Sequence, residues 1–320
     1  MHFKVKVGIP LLLLLLCSCS VYVWYSMNLN KFIFATDVFH QVECQKTSKE
    51  TEPKILSARK PFPYTEWAVE NSVTPPPPRF CVIARTMEVH QLRLYAFMMS
   101  LLANRPPRLN VFLVNTVESP FPSLPDMIEH ANIISNSQIF HDVTNMFNVS
   151  SSRARFGDVD FDKYGYIITD MVLEYILQQQ DENHANLCEY VLVTNGDNLY
   201  GNGFFQAAWE KIREGFNVIG VHFISHHNWP PPTPEQVCGP RRGGTDLEIH
   251  SALKRNCMDL GGAMFSRSLI GDIRFIITEI HRAKVDFSRL HGADGYFFER
   301  ITQQNGAKGV IIPRVLMLHQ

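Results

Sequence analysis

Tyr190-Val-Leu-Val-Thr-Asn-Gly-Asp-Asn-Leu-Tyr200 is the stretch that decides the fold. Val191, Leu192 and Val193 form an apolar run of the kind that makes a strand buried on both faces. The run breaks at Thr194-Asn195-Gly196-Asp197-Asn198, which is turn chemistry. A carboxylate, Asp197, therefore stands where a buried parallel strand surfaces, the place where open α/β sheets bind their ligands. After Gly201 and Gly203 the apolar segment 204–209 reads as a helix.

Upstream, residues 80–85 (Phe-Cys-Val-Ile-Ala-Arg) predict a short strand. Residues 88–104 predict a helix with Val89, Leu92, Ala96, Met99 and Ala103 on one face and Leu94, Phe97 and Leu101 on another, so both faces are expected to be covered. Asn104-Arg-Pro-Pro107 ends it, and residues 109–114 form the next strand. That β-α-β unit implies parallel pairing with a right-handed crossover. Ile168, Val172, Leu173 and Ile176 mark a helix leading into the central strand, and residues 217–223 give one strand more. Strands alternating with helices make the fold class α/β.

In this order the chain resembles the nucleotide-sugar glycosyltransferases of the GT-A fold: strand, helix, strand, a helix with a Thr169-Asp170 pair, then a strand ending in Asn195-x-Asp197 where that family carries D-x-D. The resemblance covers residues 80–320. It implies a single Rossmann-like domain with a mostly parallel central sheet. It further implies a donor that is a UDP- or GDP-linked sugar, with Arg85, Thr86, Asp170 and Asn195 near the nucleotide. A Mn²⁺ or Mg²⁺ ion would be held by Asp197 and by His319, which the apolar run 315–318 delivers near the C-terminus. Such an ion acts as a Lewis acid on the departing diphosphate, and Mn²⁺ accepts imidazole as well as oxygen. Asp259, in Cys257-Met-Asp-Leu-Gly-Gly-Ala-Met-Phe265, would be a catalytic acidic residue on the acceptor-side strand, preceding small residues that face the donor sugar, with Gly261 and Gly262 leaving the backbone open to a ligand. Asp294 would be the base that takes the acceptor's hydroxyl proton in an inverting enzyme; a retaining enzyme would not need it. Each residue also has a plainer reading. Asp294 can be a helix cap, Asp170 a first-turn helix charge, Arg85 an ion-pair partner and His319 a frayed terminal residue.

The ends and loops carry an address. Lys4 and Lys6 precede the uncharged run 7–27, with six leucines at positions 11–16 and Tyr22, Trp24 and Tyr25 near its end. At ~1.5 Å per residue this run matches a bilayer's apolar core. Basic residues before it and aromatics after it predict a type II anchor with the remainder exported, in the Golgi or ER membrane. The alternative is a cleaved signal peptide, for which Ser18-Cys19-Ser20 offers a site, and a secreted chain. Residues 1–6 are then a cytosolic tail. Residues 28–79, which end in Pro75 to Pro78, form a stem. Residues 225–256 form a long loop with Trp229, Arg241 and Arg242, read as a lid over the acceptor.

Of seven cysteines, Cys44, Cys81, Cys188, Cys238 and Cys257 fall on the exported side, where disulfides persist. Cys238 and Cys257 bracket a polar loop and are the preferred pair. Cys44 is either a free thiol or a link between two copies of the chain. Asn148-Val-Ser150 is an acceptor sequence for N-glycosylation. A formal net charge of −1 offers no argument for a nucleic-acid partner. Expected partners are a nucleotide sugar, a glycan, protein or lipid acceptor, and the membrane. Two other classes stand beside the transferase: a metal-dependent hydrolase of the secretory pathway, and a binding protein that kept the fold without turnover.

Overall fold

A computed structural model describes residues 76–157, 165–178, 187–225, 238–240, 248–254, 257–277 and 293–319. The predicted anchor, most of the stem and Cys44 lie outside these residues, as do Trp229, Arg241 and Arg242. Among the described residues no helix is long and apolar enough to cross a membrane.

The elements follow in chain order: β1 Phe80–Thr86, a 3-10 turn Glu88–His90, α1 Gln91–Asn104, β2 Leu109–Asn115, α2 Leu124–Ser135, β3 Phe140–Asp142, α3 Val149–Phe156, α4 Tyr166–Gln178, β4 Tyr190–Asn195 and β5 Leu199–Tyr200. Then come α5 Phe204–Arg213, β6 Val218–Ser225, β7 Gly239–Pro240, β8 Glu248–His250, a 3-10 turn Leu260–Gly262, β9 Ala263–Ser266, the short α6 Arg267–Ile270, α7 Ala293–Thr302 and β10 Gly309–His319. The main sheet runs β3-β2-β1-β4-β9-β6-β10-β5, with β8 also paired to β6. β1 pairs parallel with β2 and β4, β2 with β3, and β6 with β10. β9 is antiparallel to both β4 and β6, so β6 returns to the direction of β4. Six strands therefore end at one edge, and that edge is where the side chains of interest gather.

Burial on both faces is what the sequence of β1 and β4 predicts. Cys81, Ile83, Val191 and Val193 pack on one side with Ile168, Val172, Phe297 and Phe298 from α4 and α7. Phe80, Val82, Ala84 and Leu192 pack on the other with Leu94, Phe97, Ile128, Phe204 and Phe205 from α1, α2 and α5. The result is a sheet between two helical layers. One expectation about α1 fails. Leu94, Phe97 and Leu101 are buried, but Val89 and Leu92 are 82% and 79% exposed. Val89 lies in the 3-10 turn and Leu92 in the first turn of α1, on the face that points away from the core, opposite Leu94, Phe97 and Leu101.

Cys238 and Cys257 are linked, as expected, and Cys81 is linked to Cys188. The second bridge joins the start of β1 to the segment entering β4, at the edge opposite to the one where Asn195 lies.

Candidate active site

The turn after β4 is fixed from below. The Tyr200 hydroxyl lies 2.8 Å from Thr194 Oγ1 and 3.1 Å from the Gly261 carbonyl oxygen, and Asn198 Nδ2 donates to Thr194 Oγ1 at 3.0 Å. Gly196 N donates to the Arg85 carbonyl at 2.7 Å. A Cβ at Gly196 would come within 2.9 Å of both Leu94 Cδ1 and Thr86 Cγ2, so glycine here answers to space. Gly261 and Gly262 serve the same end. A Cβ on Gly261 would meet Thr194 Oγ1 at 2.6 Å, and one on Gly262 would meet Met258 Sδ at 2.8 Å. The backbone there is closed by protein, contrary to the expectation that it lies open to a ligand.

Above that floor, the described candidates form two groups. On the α4–α7 side, Arg85 donates to Asn195 Oδ1 from Nε at 2.9 Å and from Nη2 at 2.6 Å. Its guanidinium lies 5.0 Å from the centre of the Tyr166 ring. Asp259 and Asp294 lie near enough for their charges to act on each other and on Tyr166. Asp259 caps the 3-10 turn by accepting from Gly261 N at 2.9 Å, and its Oδ2 is 3.4 Å from His319 Nε2. His319 Nδ1 is 3.1 Å from the buried Ser225 Oγ. Asp294 accepts from Gly295 N at 2.9 Å. Burial first, and the negative charge of Asp259 second, push the Asp294 carboxyl up to about 6, while the Gly295 N–H and Arg85 pull against them. Burial, aided by both carboxylates, also raises the Tyr166 phenol.

On the α1 side stands the second group. Asp197 Oδ2 is 3.3 Å from His90 Nδ1 and 3.8 Å from Arg93 Nη1, and its Oδ1 is buried without a hydrogen-bond partner.

Asp170 joins neither group. Its Oδ1 accepts from Phe275 N at 2.8 Å, and its Oδ2 from Ile276 N and Ile277 N at 2.8 and 3.0 Å. The structure gives it the work of pinning that segment beneath α4. Thr86 is buried, with Oγ1 donating to the Val114 carbonyl at 3.3 Å.

A cleft of about 450 Å³ opens beyond β1, lined by Asn115, Phe121, Asp142, Thr144, Asn145 and Asn148 among others. Asn115 is the register partner of Thr86, and Leu113 that of Asp142. From β3 across β2 and β1 to β4 is three strand spacings, about 14 Å. The cleft and the Arg85 group thus share one sheet edge. Asn148 at the cleft's rim caps α3, with Oδ1 accepting from Ser151 N at 2.9 Å and Nδ2 donating to the Thr144 carbonyl at 3.1 Å.

The donor set expected for a divalent metal is not assembled. Asp197 and His319 turn to different partners, and the Asn195 oxygen accepts from Arg85. Among the described residues no three His, Cys, Asp or Glu side chains are placed to share an ion. The orphaned Asp197 Oδ1 is one oxygen, whereas Mg²⁺ requires near-octahedral coordination.

Sequence reasoning missed Tyr166, Ser225, His90 and Arg93 as neighbours of the site. Tyr166 is on the same helix as Thr169-Asp170, at its first residue, and it is this residue rather than Asp170 that the helix brings to Arg85. His90 and Arg93 had no signal beyond an unremarkable helical spacing.

No protein-family profile matches the chain, and a comparison with curated proteins returns no significant match. Solved structures give likenesses of fold at low identity. The S. aureus TarS fragment 1–349 aligns with a TM-score of 0.48 at 12% identity, over 75% of this chain and 60% of that one. The same fragment in complex with UDP gives 0.47 at 12%, with the same coverage. A 4-diphosphocytidyl-2C-methyl-D-erythritol synthase from Anaerococcus prevotii gives 0.39 at 13%, over 74% and 87%. The aligned part thus spans 60%, less than two thirds, of the TarS fragment. The chemistry of the site is carried by its own geometry.

Proposed function

We propose that the chain is a glycosyltransferase that moves a sugar from a nucleoside diphosphate, UDP or GDP, to a hydroxyl of a glycan, protein or lipid. The observation that carries this reading is Arg85, held on Asn195 and beside Tyr166 at the sheet edge, with the carboxylates Asp259 and Asp294 near enough for their charges to interact. Arg85 offers N–H donors suited to a diphosphate. The cleft at β2 and β3 takes the nucleoside, and Asp259 binds the donor sugar's hydroxyls. Asp294 accepts the proton of the acceptor hydroxyl. The acceptor oxygen then forms the new bond to the sugar's anomeric carbon from the face opposite the diphosphate. The bond from that carbon to the phosphate oxygen breaks, its electron pair leaves with the diphosphate, and configuration inverts. Positive charge beside the leaving oxygens stabilises the negative charge they gain. The apolar run 7–27 supports a type II anchor in the Golgi or ER, and the two disulfides fit an oxidising compartment.

The test is a screen of UDP- and GDP-sugars with the full-length chain, reading release of nucleoside diphosphate with and without candidate acceptors. Acceptor-stimulated release of one nucleotide supports transfer. Release indifferent to acceptors would point to a hydrolase, and tight binding without release to a binding protein.

A further inference from the structure

The two side chains expected to ligate a divalent cation, Asp197 and His319, face protein groups, and Asn195, in the same turn as Asp197, is held by a group that is itself a cation. The amide oxygen of Asn195 is its acceptor atom, and both Nε and Nη2 of Arg85 donate to it, at 2.9 and 2.6 Å. A metal on that oxygen would have to displace the guanidinium or share its space, against like-charge repulsion. His319 presents one ring nitrogen to Asp259 at 3.4 Å and the other to Ser225 at 3.1 Å. Asp197 faces His90 and Arg93, on the α1 side of the edge. Its uncommitted Oδ1 is a single oxygen, and Gly196 beside it is wedged against Leu94 and Thr86, so the turn has little room to swing.

Arg85 is equipped for the task the metal would perform. It is permanently charged and presents a planar set of donors. The Tyr166 ring lies beneath it at 5.0 Å, and Asn195 fixes its direction. We infer that Arg85 holds the donor's diphosphate in place of a divalent cation, and that Asp197 anchors His90 and Arg93 rather than a metal. This rests on the donor reading above.

The experiment measures binding of UDP and of GDP to the full-length chain by calorimetry, once with Mn²⁺ and once with excess EDTA. The better nucleotide should bind within about 3-fold under both conditions. Arg85→Gln should weaken it at least ~10-fold in both, the scale of losing charge-assisted hydrogen bonds, and Arg85→Lys should fall between. Asp197→Asn should stay within about 3-fold of the parent. Binding that drops ~10-fold or more on chelation, returns with Mn²⁺ and is lost in Asp197→Asn would overturn the inference, even if the Arg85 variants failed to fold. If neither nucleotide binds under either condition, the donor reading itself goes and takes this one with it.

Discussion

Asp170, on α4, and Asp294, at the start of α7, look alike by one measure and differ by another. Burial pushes each carboxyl up to about 6. Yet Asp170 accepts from three backbone N–H groups of the 275–277 segment, whereas Asp294 accepts from the N–H of the next residue and lies near Asp259 and Arg85. A displaced pKa marks desolvation, and desolvation alone does not mark a working group. The account of partners separates the two: both oxygens of Asp170 are taken by backbone N–H groups, with Arg274 nearby, whereas Asp294 faces Asp259 and Arg85, the charges the proposed reaction uses.

The strongest way to break that contrast is to remove the charge at Asp294. Asp294→Asn is expected to lower transfer ~10²- to 10⁴-fold, the range for a general base, with the melting temperature nearly unchanged. A folded variant with parent-like turnover would reduce Asp294 to a cap.

Asp170→Asn should do the reverse. An amide nitrogen in place of Oδ2 leaves the Ile276 and Ile277 N–H groups without an acceptor, at about 1–3 kcal/mol each. Thermal unfolding should show a drop of several degrees or more, while turnover per folded molecule stays close to the parent. Loss of turnover without loss of stability would return Asp170 to the active site.

The pH profile sharpens the comparison most finely. A base must be ionised to accept a proton, so kcat/KM should fall as pH falls through about 6, the raised Asp294 value. Asp259→Asn removes the neighbouring negative charge, so the limb should move to lower pH. An unmoved limb in that variant would mean that Asp259 and Asp294 do not sense each other.

Much of the fold was legible because apolar periodicity is a local signal. The doubly buried β4, the β1-α1-β2 unit and the Cys238–Cys257 pairing could all be read from short stretches. The short β7, β8 and β3 escaped because two or three residues carry no periodicity. β9 overlaps the stretch expected to face the donor sugar, but its antiparallel insertion between β4 and β6 depends on contacts with no sequence signal. Within the site, the family resemblance pointed to Arg85, Asn195, Asp259, Asp294 and His319, and the structure brings Arg85 to Asn195 and His319 to Asp259, with Asp294 near Asp259 and Arg85. Their pairings were not legible. Whether Asn195 faces a metal or Arg85, and whether His319 faces Asp197 or Asp259, depends on side-chain directions on opposite faces of one sheet edge.

The bridge from Cys81 to Cys188 spans 107 residues of sequence and sits away from all of this chemistry. In the chain-entropy model a loop of that length is worth about 4.7 kcal/mol, close to the low end of a domain's entire net stability. Synthesised in a reducing cytosol, the same chain would carry every residue of its site and lack the tie between the two strands that frame it. In an oxidising compartment the thiol chemistry itself would add to how firmly the domain stays folded.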